Sequence, residues 1–543
     1  MLAHTHRNRP RRALDVPIPR TALWGGVMAA ALAASFMHAP QALAAPEDPR
    51  TQECEPEEDA VPKRQMRAEW VAGVENIDWP TEQGMSAEEQ QAELVELYDG
   101  AVDRGLNAVV VQVRPTADAF WPSPHEPWSE WLTGEQGGDP GYDPLEFAVE
   151  AAHERNLEFH AWYNPYRVAM HDDPSRLVED HPARENPDWT FSYGGQLYYD
   201  PGVPEAREFV VEAMMHSVDN YDVDGVHFDD YFYPYPVDDE EIPDEDTYAE
   251  HGEGFDDIGD WRRDNVDTMV REVSEAVKAS KPHVKFGISP FGIWRNSDTD
   301  PAGSDTEGME SYDEQYADSR KWVTEGWLDY INPQLYWHIG LDVADYSVLV
   351  PWWEEVAATT DTHLYIGQGA YKVGEEEGPW SDDPRELSEH LHLNQDRPGV
   401  HGDVYFSATS LRTNAQEAFE IVQEEHYAHP ALVPIDPDLG GEAPPEPTVT
   451  GSEPVEDGLE LGMAPAEGSE PAYYAVYAIE GPPEEEPVCG IGDARNLLGT
   501  VRAGDDGTAT FTAPAHEGEY TYYATALDRL HHESGASEPH HLP

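Results

Sequence analysis

Two adjacent carboxylates are the sharpest chemical feature of the sequence. Asp229 and Asp230 directly follow the apolar run 225–228 and precede three aromatic residues. Two carboxyl groups so close repel each other, so one pKa rises, the other falls, and one group can donate a proton near neutral pH. The pair therefore predicts acid–base catalysis. The alternatives are a solvated acidic loop and a pair of cation ligands, but no second loop has the ligand spacing of an EF-hand. We expect neither a metal nor a cofactor.

Other polar and aromatic residues fall just after predicted strands. Aromatic faces stack on the apolar C–H faces of a sugar ring, and amides and carboxylates exchange hydrogen bonds with its hydroxyl groups. Any single tryptophan or tyrosine can instead belong to the core, so the prediction of a sugar site rests on their accumulation. His160 and His227 are interpreted as walls of the site rather than zinc ligands, because no cysteine ligand accompanies them. The residues expected to bind substrate are Asp78, Arg114, Asp118, Trp162, Asn164, His227, Arg295, Asn332, Gln334, Tyr336 and Trp337.

The elements that must position these residues alternate between strand and helix. The strand candidates are 67–74, 107–113, 157–163, 225–228, 284–289, 330–335, 364–367 and 404–407. Helical patterns such as 205–220, 264–280 and 312–325 lie between them. This count predicts an α/β fold, a (β/α)8 TIM-type barrel over residues 66–432, whose active site lies at the carboxyl-terminal ends of the strands. A doubly wound open sheet is the rival, but no glycine-rich phosphate loop follows the first strand.

The pattern changes after the barrel. Residues 433–450 contain five prolines and predict a linker, which we expect to be a protease-sensitive hinge. Short alternating strands such as 473–477 and 520–523 follow within 451–543. They predict a small all-β sandwich, and the closing run YYATALDRLHHESGAS resembles the last strands of fibronectin type III modules.

The first residues predict export. Residues 1–44 combine a basic start, the apolar run 22–39 and Ala42-Leu43-Ala44, which fits cleavage before Ala45. A membrane anchor is the alternative, although His38 and Pro40 interrupt the run. A Sec signal and a twin-arginine signal both stay open, and residues 45–65 are interpreted as a polar linker. We therefore expect a secreted or cell-wall-associated protein with no membrane span in the mature chain.

Composition excludes some partners and leaves other questions open. The 543 residues include 32 basic and 109 acidic ones, a formal net charge of -77. This charge excludes a nucleic-acid binder and a protein held electrostatically to anionic lipid. Salt adaptation and a generally acidic secreted protein both explain it, and the first predicts that salt stabilises the fold. Cys54 and Cys489 are either disulfide-bonded or two free thiols.

Several long motifs carry a family resemblance over residues 64–430. They include RAEWVAGVENIDWP, VVVQVRPTADAFWPS, GYDPLEFAVEAAHERNLEFHAWYNPYRV, VDGVHFDDYFYP, FGISPFGIWRN and DYINPQLYW. The sequence resembles the glycosyl-hydrolase-like 10 family of bacterial (β/α)8 barrels. The resemblance implies a hydrolase of bacterial glycans, including peptidoglycan strands that lack stem peptides. Asp229 and Asp230 match the family's most distinctive acidic motif, and the other matching strand-end positions are Arg114, Asp118, Asn164, Asn332, Gln334 and Tyr336.

Three functions are compatible with these observations. An exported glycoside hydrolase leads, ahead of an inactive carbohydrate- or wall-binding protein and a structural adhesin. In one mechanism the substrate's own acetamide oxygen is the nucleophile, Asp229 orients it with help from Tyr336, and Asp230 is the general acid, with the reverse assignment also open. In the rival mechanism Asp229 is the nucleophile and Asp118 or Asp78 is the acid.

Overall fold

The computed structural model describes residues 60–374, 379–456, 458–484, 488–516 and 518–542. The predicted signal peptide and residues 45–59 of the predicted 45–65 linker lie outside these residues. Cys489 is disulfide-bonded, and Cys54, the other cysteine of the chain, also lies outside the described residues. No helix within the described ranges is long and apolar enough to cross a membrane.

Eight parallel strands close into a barrel, as the sequence predicts. Each strand pairs with its neighbours in chain order, and β8 closes the barrel on β1. The strands are β1 (Met66–Val71), β2 (Ala108–Arg114), β3 (Glu158–Tyr163), β4 (Gly225–Phe228), β5 (Lys285–Ile288), β6 (Tyr330–Ile331), β7 (His363–Gln368) and β8 (Val400–Tyr405).

A helix follows each strand and covers the outside of the barrel. A capping box begins the first helix, where Ser86 and Glu89 satisfy each other's backbone N–H groups. The main helices are α1 (Ala87–Asp103), α2 (Pro144–His153), α3 (Pro204–Asn220), α4 (Ile258–Ser280), α5 (Ser319–Thr324), α6 (Tyr346–Ala357), α7 (Glu386–Gln395) and α8 (Ala418–Glu425). Shorter helices span Glu130–Thr133, Pro182–Glu185, Glu245–His251, Ser311–Glu314, Pro379–Asp382 and Ala408–Thr413.

The two faces of a strand pack in different places. In β2, Val109, Val111 and Val113 pack against the helices, whereas Ala108 and Val110 fill the barrel interior. Both faces are apolar because a parallel strand is buried on both sides. An insertion after β3 adds a small antiparallel sheet of Arg167–Ala169, Thr190–Tyr193 and Gln196–Tyr199.

Three strands differ from their predicted bounds by more than one residue. β1 ends at Val71 rather than at residue 74. β6 ends at Ile331 rather than at residue 335, because Pro333 follows and has no N–H to continue the ladder. β8 begins at Val400 rather than at residue 404. The part of β8 that the prediction missed, 400–403, ends with the buried Asp403, whose carboxylate accepts hydrogen bonds of 2.8 Å from both Gln368 and Asn394.

The C-terminal domain consists of two antiparallel sheets. Three strands form one sheet and four form the other. Leu461 and Met463 from the first sheet and Tyr474 and Val476 from the second share one core, so the sheets pack face to face. The strands are β9 (Thr448–Val455), β10 (Gly458–Ala464), β11 (Tyr473–Glu480), β12 (Leu497–Arg502), β13 (Ala509–Ala513), β14 (Tyr520–Leu527) and β15 (His540–Leu542).

The C-terminal domain docks on the amino-terminal end of the barrel through buried charges. Glu158, the first residue of β3, accepts hydrogen bonds from Lys285 at 2.7 and 2.9 Å and lies 2.9 Å from Nε2 of His531. Burial disfavours ionised Glu158, but Lys285 and two histidines outweigh burial and hold its pKa well below its usual range. Val433 and Asp436 are also buried. The start of the 433–450 segment is therefore packed, contrary to a linker with few contacts.

Candidate active site

A cavity of about 410 Å³ opens at the carboxyl-terminal ends of the barrel strands. It is largely aromatic, with two carboxylates and two cations among its walls. This combination fits a ligand that offers apolar faces together with polar groups, as a sugar does. The lining residues are Trp70, Ala72, Val74, Ile77, Gln112, Trp162, Arg167, Asp229, Asp230, Tyr231, Tyr235, Ser289, Phe291, Gln334, Tyr336, Trp337, Tyr371, Lys372 and Phe406.

Asp229 is held by a neighbouring amide. Asn164, which follows β3, donates its Nδ2 to both carboxylate oxygens, at 2.8 and 2.6 Å. The backbone N–H of Tyr231 adds a bond of 3.2 Å to Oδ1. Asn164 is itself oriented, because Gln112 donates to its Oδ1 at 2.5 Å. The carboxyl group of Asp229 therefore has a fixed orientation before any substrate binds.

Asp230 has a different set of partners. The hydroxyl of Tyr235 donates to Oδ2, and Gln334 Nε2 donates to Oδ1 at 3.0 Å. Gln334 also donates to the carbonyl of Ser289 at 2.8 Å, which fixes the amide. Three strand ends thus converge on the pair, since Asn164 follows β3, the aspartates follow β4 and Gln334 follows β6.

The electrostatics of the site favour one retained proton. Burial is the largest cause that raises the pKa of Asp229, to about 7, and the charge of Asp230 adds to it. Burial also raises the pKa of Asp230, while the hydrogen bonds from Tyr235 and Gln334 oppose that rise. Arg167 favours the ionised form of both groups. A carboxyl group that stays protonated near neutral pH can act as a general acid.

A chain of hydrogen bonds runs through the barrel interior beneath the cavity. Trp70 lines the cavity and donates Nε1–H to Nε2 of His227 at 3.2 Å. The hydroxyl of Tyr330 lies 3.0 Å from Nδ1 of His227 and 2.9 Å from Nδ1 of His160. His160 Nε2 then lies 3.1 Å from Glu158. The chain connects the cavity floor with the charged cluster at the opposite end of the barrel.

The structure brings six of the residues expected from the sequence into the cavity wall. These are Trp162, Asp229, Asp230, Gln334, Tyr336 and Trp337. Asn164 and His227 lie just behind the wall and contact residues that line it. Burial, together with neighbouring His160, holds the pKa of His227 well below its usual range, so its ring is neutral.

Three other residues expected to bind substrate instead hold loops together. Asp78 accepts hydrogen bonds of 2.8 Å from the backbone of Ala72, from the Ser407 hydroxyl and from the backbone of Thr409, which ties the loop after β1 to the end of β8. Arg114 is fully buried in a two-bond ion pair with Glu126. Asp118 is buried and accepts from the backbone of Thr116 at 3.3 Å. None of the three lines the cavity.

Arg295 and Asn332 also lie away from the cavity wall. Arg295 forms ion pairs with Asp313 at 2.8 Å and Asp300 at 3.1 Å in the loop region after β5. Asn332 is fully buried and lines a second cavity of only about 10 Å³ inside the barrel, too small for a sugar. A strand-end position alone therefore does not place a polar side chain in the site.

The described residues contain one group that could hold a metal ion. His392, Glu425 and His426 place one ligand atom each within 4.8 Å of one another, on α7 and at the end of α8. Arg385 already donates two hydrogen bonds of 2.9 Å to Glu425. None of these residues lines the 410 Å³ cavity, so the chemistry of the site does not involve them.

Comparison with known proteins decides the family. The model of the family described as "Glycosyl hydrolase-like 10" matches residues 65–382. The chain belongs to this family. It is 48% identical over 486 residues to glycosyl hydrolase YngK of Bacillus subtilis, covering 88% of this chain and 93% of the relative. It is 40% identical over 380 residues to glycosyl hydrolase DigH of Escherichia coli K12, covering 66% of this chain and 86% of the relative.

The solved structures add a weaker likeness. The glycoside hydrolase domain of PgaB from Bordetella bronchiseptica aligns with a TM-score of 0.42 at 13% identity, over 66% of this chain and 98% of that domain. The family and its named relatives support a glycosidase with a glycan substrate.

Several cavity residues were not among those expected from the sequence. Trp70 and Phe406 are apolar and read as core residues, yet both face the cavity. Tyr235 lies in the loop after β4, whose path the sequence does not fix, and Arg167 begins the small antiparallel sheet that is inserted after β3. The position of Trp70 in the sequence does indicate that it faces inward. Alternate residues of a strand point to the same side, and Trp70 lies two residues after Ala68, which faces the barrel interior.

Proposed function

We propose that this protein is an exported glycoside hydrolase that cleaves a bacterial glycan containing N-acetylhexosamine, such as peptidoglycan strands lacking stem peptides. The observation that carries the proposal is the buried pair Asp229 and Asp230 in an aromatic cavity, with the pKa of Asp229 raised to about 7. An acid held protonated beside a carboxylate is the pairing that glycosidic bond cleavage requires. A site that only binds sugar needs the aromatic walls but not the two coupled acids.

The arrangement favours participation of the substrate's acetamide group. Among the described residues that line the cavity, Asp229 and Asp230 are the only carboxylates. Asp78 and Asp118, the acids required by the rival two-carboxylate mechanism, hold loops elsewhere. Adjacent acids reach the substrate from one side, which suits a mechanism whose nucleophile is the acetamide oxygen of the sugar itself.

The two aspartates then have separate tasks. Asp229 donates its proton to the glycosidic oxygen while the acetamide oxygen attacks the anomeric carbon, so the bond to the leaving sugar breaks and an oxazolinium ring forms. Asp230, whose negative charge is stabilised by Tyr235 and Gln334, accepts the acetamide N–H. Water next attacks the anomeric carbon, opens the ring and returns a proton to Asp229. This assignment reverses the order first considered from the sequence, because burial and the neighbouring charge of Asp230 raise the pKa of Asp229 to about 7 and so favour a proton on that carboxyl group.

Release of reducing ends from purified glycan strands tests the proposal. Asp229→Asn should lower the rate by about 100-fold or more, the usual size of general acid catalysis, and by less on a substrate with a good leaving group. Asp239→Asn, in an exposed loop, is the matched control and should change nothing. A thiazoline mimic of the cyclic intermediate should inhibit.

Other outcomes would overturn the mechanism or the function. A covalent ester trapped on either aspartate by a 2-fluoro sugar would replace substrate assistance with a nucleophilic carboxylate. Binding of the strands with no reducing ends released, in the wild type as in both variants, would identify a binding protein instead of an enzyme.

Two further parts of the proposal concern location and the second domain. Residues 1–44 have the composition of a cleavable export signal, which supports secretion or attachment to the cell wall. The C-terminal sheets have three and four antiparallel strands, an arrangement that supports a fibronectin type III-like module. N-terminal sequencing of protein recovered from the culture medium tests the first, and cleavage at a site other than Ala44–Ala45 would change the mature start.

A further inference from the structure

Two cations face the cavity without a carboxylate partner. Arg167 is only 5% exposed, yet neither Arg167 nor Lys372 forms an ion pair with a described residue. Two other buried arginines, Arg114 and Arg262, are each neutralised by a carboxylate. In a chain with a formal charge of -77, carboxylates are abundant, so cations left open toward a cavity need an explanation.

The contacts of Arg167 leave most of its guanidinium available. Its Nε donates to the carbonyl of Pro115 at 3.1 Å, and the group lies 4.9 Å from the centre of the Tyr231 ring. Its two NH2 groups donate to no described residue. Because the side chain is buried, lines the cavity and is held at Nε, these donors form a fixed fork in the cavity wall, a group that can bind a carboxylate with two hydrogen bonds.

The negative charge of the aspartate pair does not explain why both Arg167 and Lys372 lie in the cavity wall. Arg167 forms no ion pair with Asp229 or Asp230, and the pKa of Asp229 stays raised to about 7 despite its charge. Lys372 comes from the loop after β7, whereas the aspartates follow β4. Its Nζ lies 5.7 Å from the centre of the Tyr371 ring, in the cavity wall. The cations therefore lie at two places around the site.

We infer that the cavity selects a glycan bearing carboxylate groups, with Arg167 as the main carboxylate anchor beside the reacting bond and Lys372 as a second anchor across the cavity. This inference rests on the proposed function and extends it. A neutral sugar would leave the Arg167 fork unpaired in a buried site, which costs binding energy.

Peptidoglycan strands that lack stem peptides carry such a carboxylate. The lactyl group of muramic acid ends in a free carboxylate once the stem peptide is removed. While the peptide is attached, the same carbon belongs to a neutral amide followed by a bulky chain. A site that requires the carboxylate would therefore distinguish the two forms by charge as well as by size.

Matched substrates test the inference. One preparation of glycan strands keeps its carboxylates, and a second is converted to the methylamide, so that the polymers differ only in charge and one methylamino group. The wild type should show a kcat/KM about 10- to 100-fold higher on the acidic strands, the range expected for a charge-assisted hydrogen bond. Arg167→Gln and Lys372→Gln should move that ratio toward one. Arg176→Gln, an exposed arginine outside the cavity, should preserve it.

Binding measured by calorimetry on the Asp229→Asn variant provides a readout that does not need turnover. The acidic oligosaccharide should bind more tightly than the methylamide, and the difference should shrink in molar salt. Arg167→Lys keeps the positive charge but lacks the guanidinium fork. If this variant binds the acidic oligosaccharide more weakly than Asp229→Asn alone but more tightly than Arg167→Gln does, the weaker binding of Arg167→Gln reflects the missing contacts and not a folding defect.

Three results would overturn the inference. In the wild type, equal kcat/KM values on the acidic and methylamide strands would overturn it and leave the glycosidase proposal intact. So would equal binding of both oligosaccharides, even if no strand is cleaved, whereas absence of cleavage by itself counts against the proposed function. Finally, if Arg167→Gln shifts only the pH profile and keeps the ratio, Arg167 is a positioning residue for the aspartate pair.

Discussion

Replacing Glu69 by glutamine tests how an isolated carboxyl group is held inside the barrel wall. Glu69 lies in β1, is fully buried, and neither of its carboxyl oxygens has a hydrogen-bond partner. Burial is the largest cause that raises its pKa, from 4.5 to about 8, although Arg104 and Arg412 oppose the rise. The group is therefore protonated in the folded protein at neutral pH and ionised in the unfolded chain.

The difference between the folded and unfolded pKa of Glu69 fixes how the free energy of unfolding changes with pH. A raised carboxyl pKa contributes stability that is fully present below pH 4.5 and is lost as the pH rises through about 8. Each pH unit within that interval costs about 1.4 kcal/mol of unfolding free energy. Between about pH 5.5 and pH 7.5 the wild type should lose roughly 3 kcal/mol relative to Glu69→Gln, which cannot ionise.

Urea unfolding followed by tryptophan fluorescence, at several pH values in that range, measures the difference. Any fixed cost of burying the glutamine amide is the same at every pH, so it cancels from the slope. Glu96→Gln, exposed on α1, is the control and should track the wild type. A difference between Glu69→Gln and wild type that does not change with pH would refute the reasoning, because it would mean that Glu69 is ionised in the fold.

Three further outcomes are expected. Because the pKa of Asp229 is raised to about 7, kcat/KM should fall about tenfold per pH unit well above pH 7, and a rate that keeps rising with pH would remove Asp229 as the proton donor. Deleting residues 433–543 exposes Glu158 and its partners, so the isolated barrel should melt at a lower temperature; a barrel that melts like the full chain would contradict the buried docking. The melting temperature of the full chain should rise from low to molar salt, and a flat response would count against salt adaptation.

The barrel could be predicted because its strands are short runs of β-branched and apolar residues between helical patterns. The prediction was weakest where polar residues enter a strand. Residues 400–403 of β8 were not predicted because they end in Asp403, and nothing in the sequence shows that Gln368 and Asn394 will donate hydrogen bonds to its carboxylate. Docking of the C-terminal domain was also missed, because its buried charges resemble surface charges until their partners are known.

The site could be predicted only in part for a related reason. Asp229 and Asp230 were found because two acids after an apolar strand and among aromatic residues are unusual. Asp78 lies in the loop after β1 and was expected in the site for the same reason, but its carboxylate turns back and accepts a hydrogen bond from the backbone of Ala72. Conversely, Trp70 looks like core in the sequence and lies in the cavity wall. Whether such a side chain enters the cavity depends on which side of the strand it lies and on the path of the loop. Residue type determines neither.

The hydrogen-bond chain beneath the cavity has a single polarity. Trp70 Nε1 can only donate, so Nε2 of His227 accepts and its Nδ1–H points to Tyr330. The Tyr330 hydrogen then goes to Nδ1 of His160, and His160 Nε2–H goes to Glu158, which can only accept. Every bond dipole has its positive end directed away from the cavity. Such an aligned array disfavours added negative charge at the cavity floor, so the barrel interior helps to keep a proton on the aspartate pair above it.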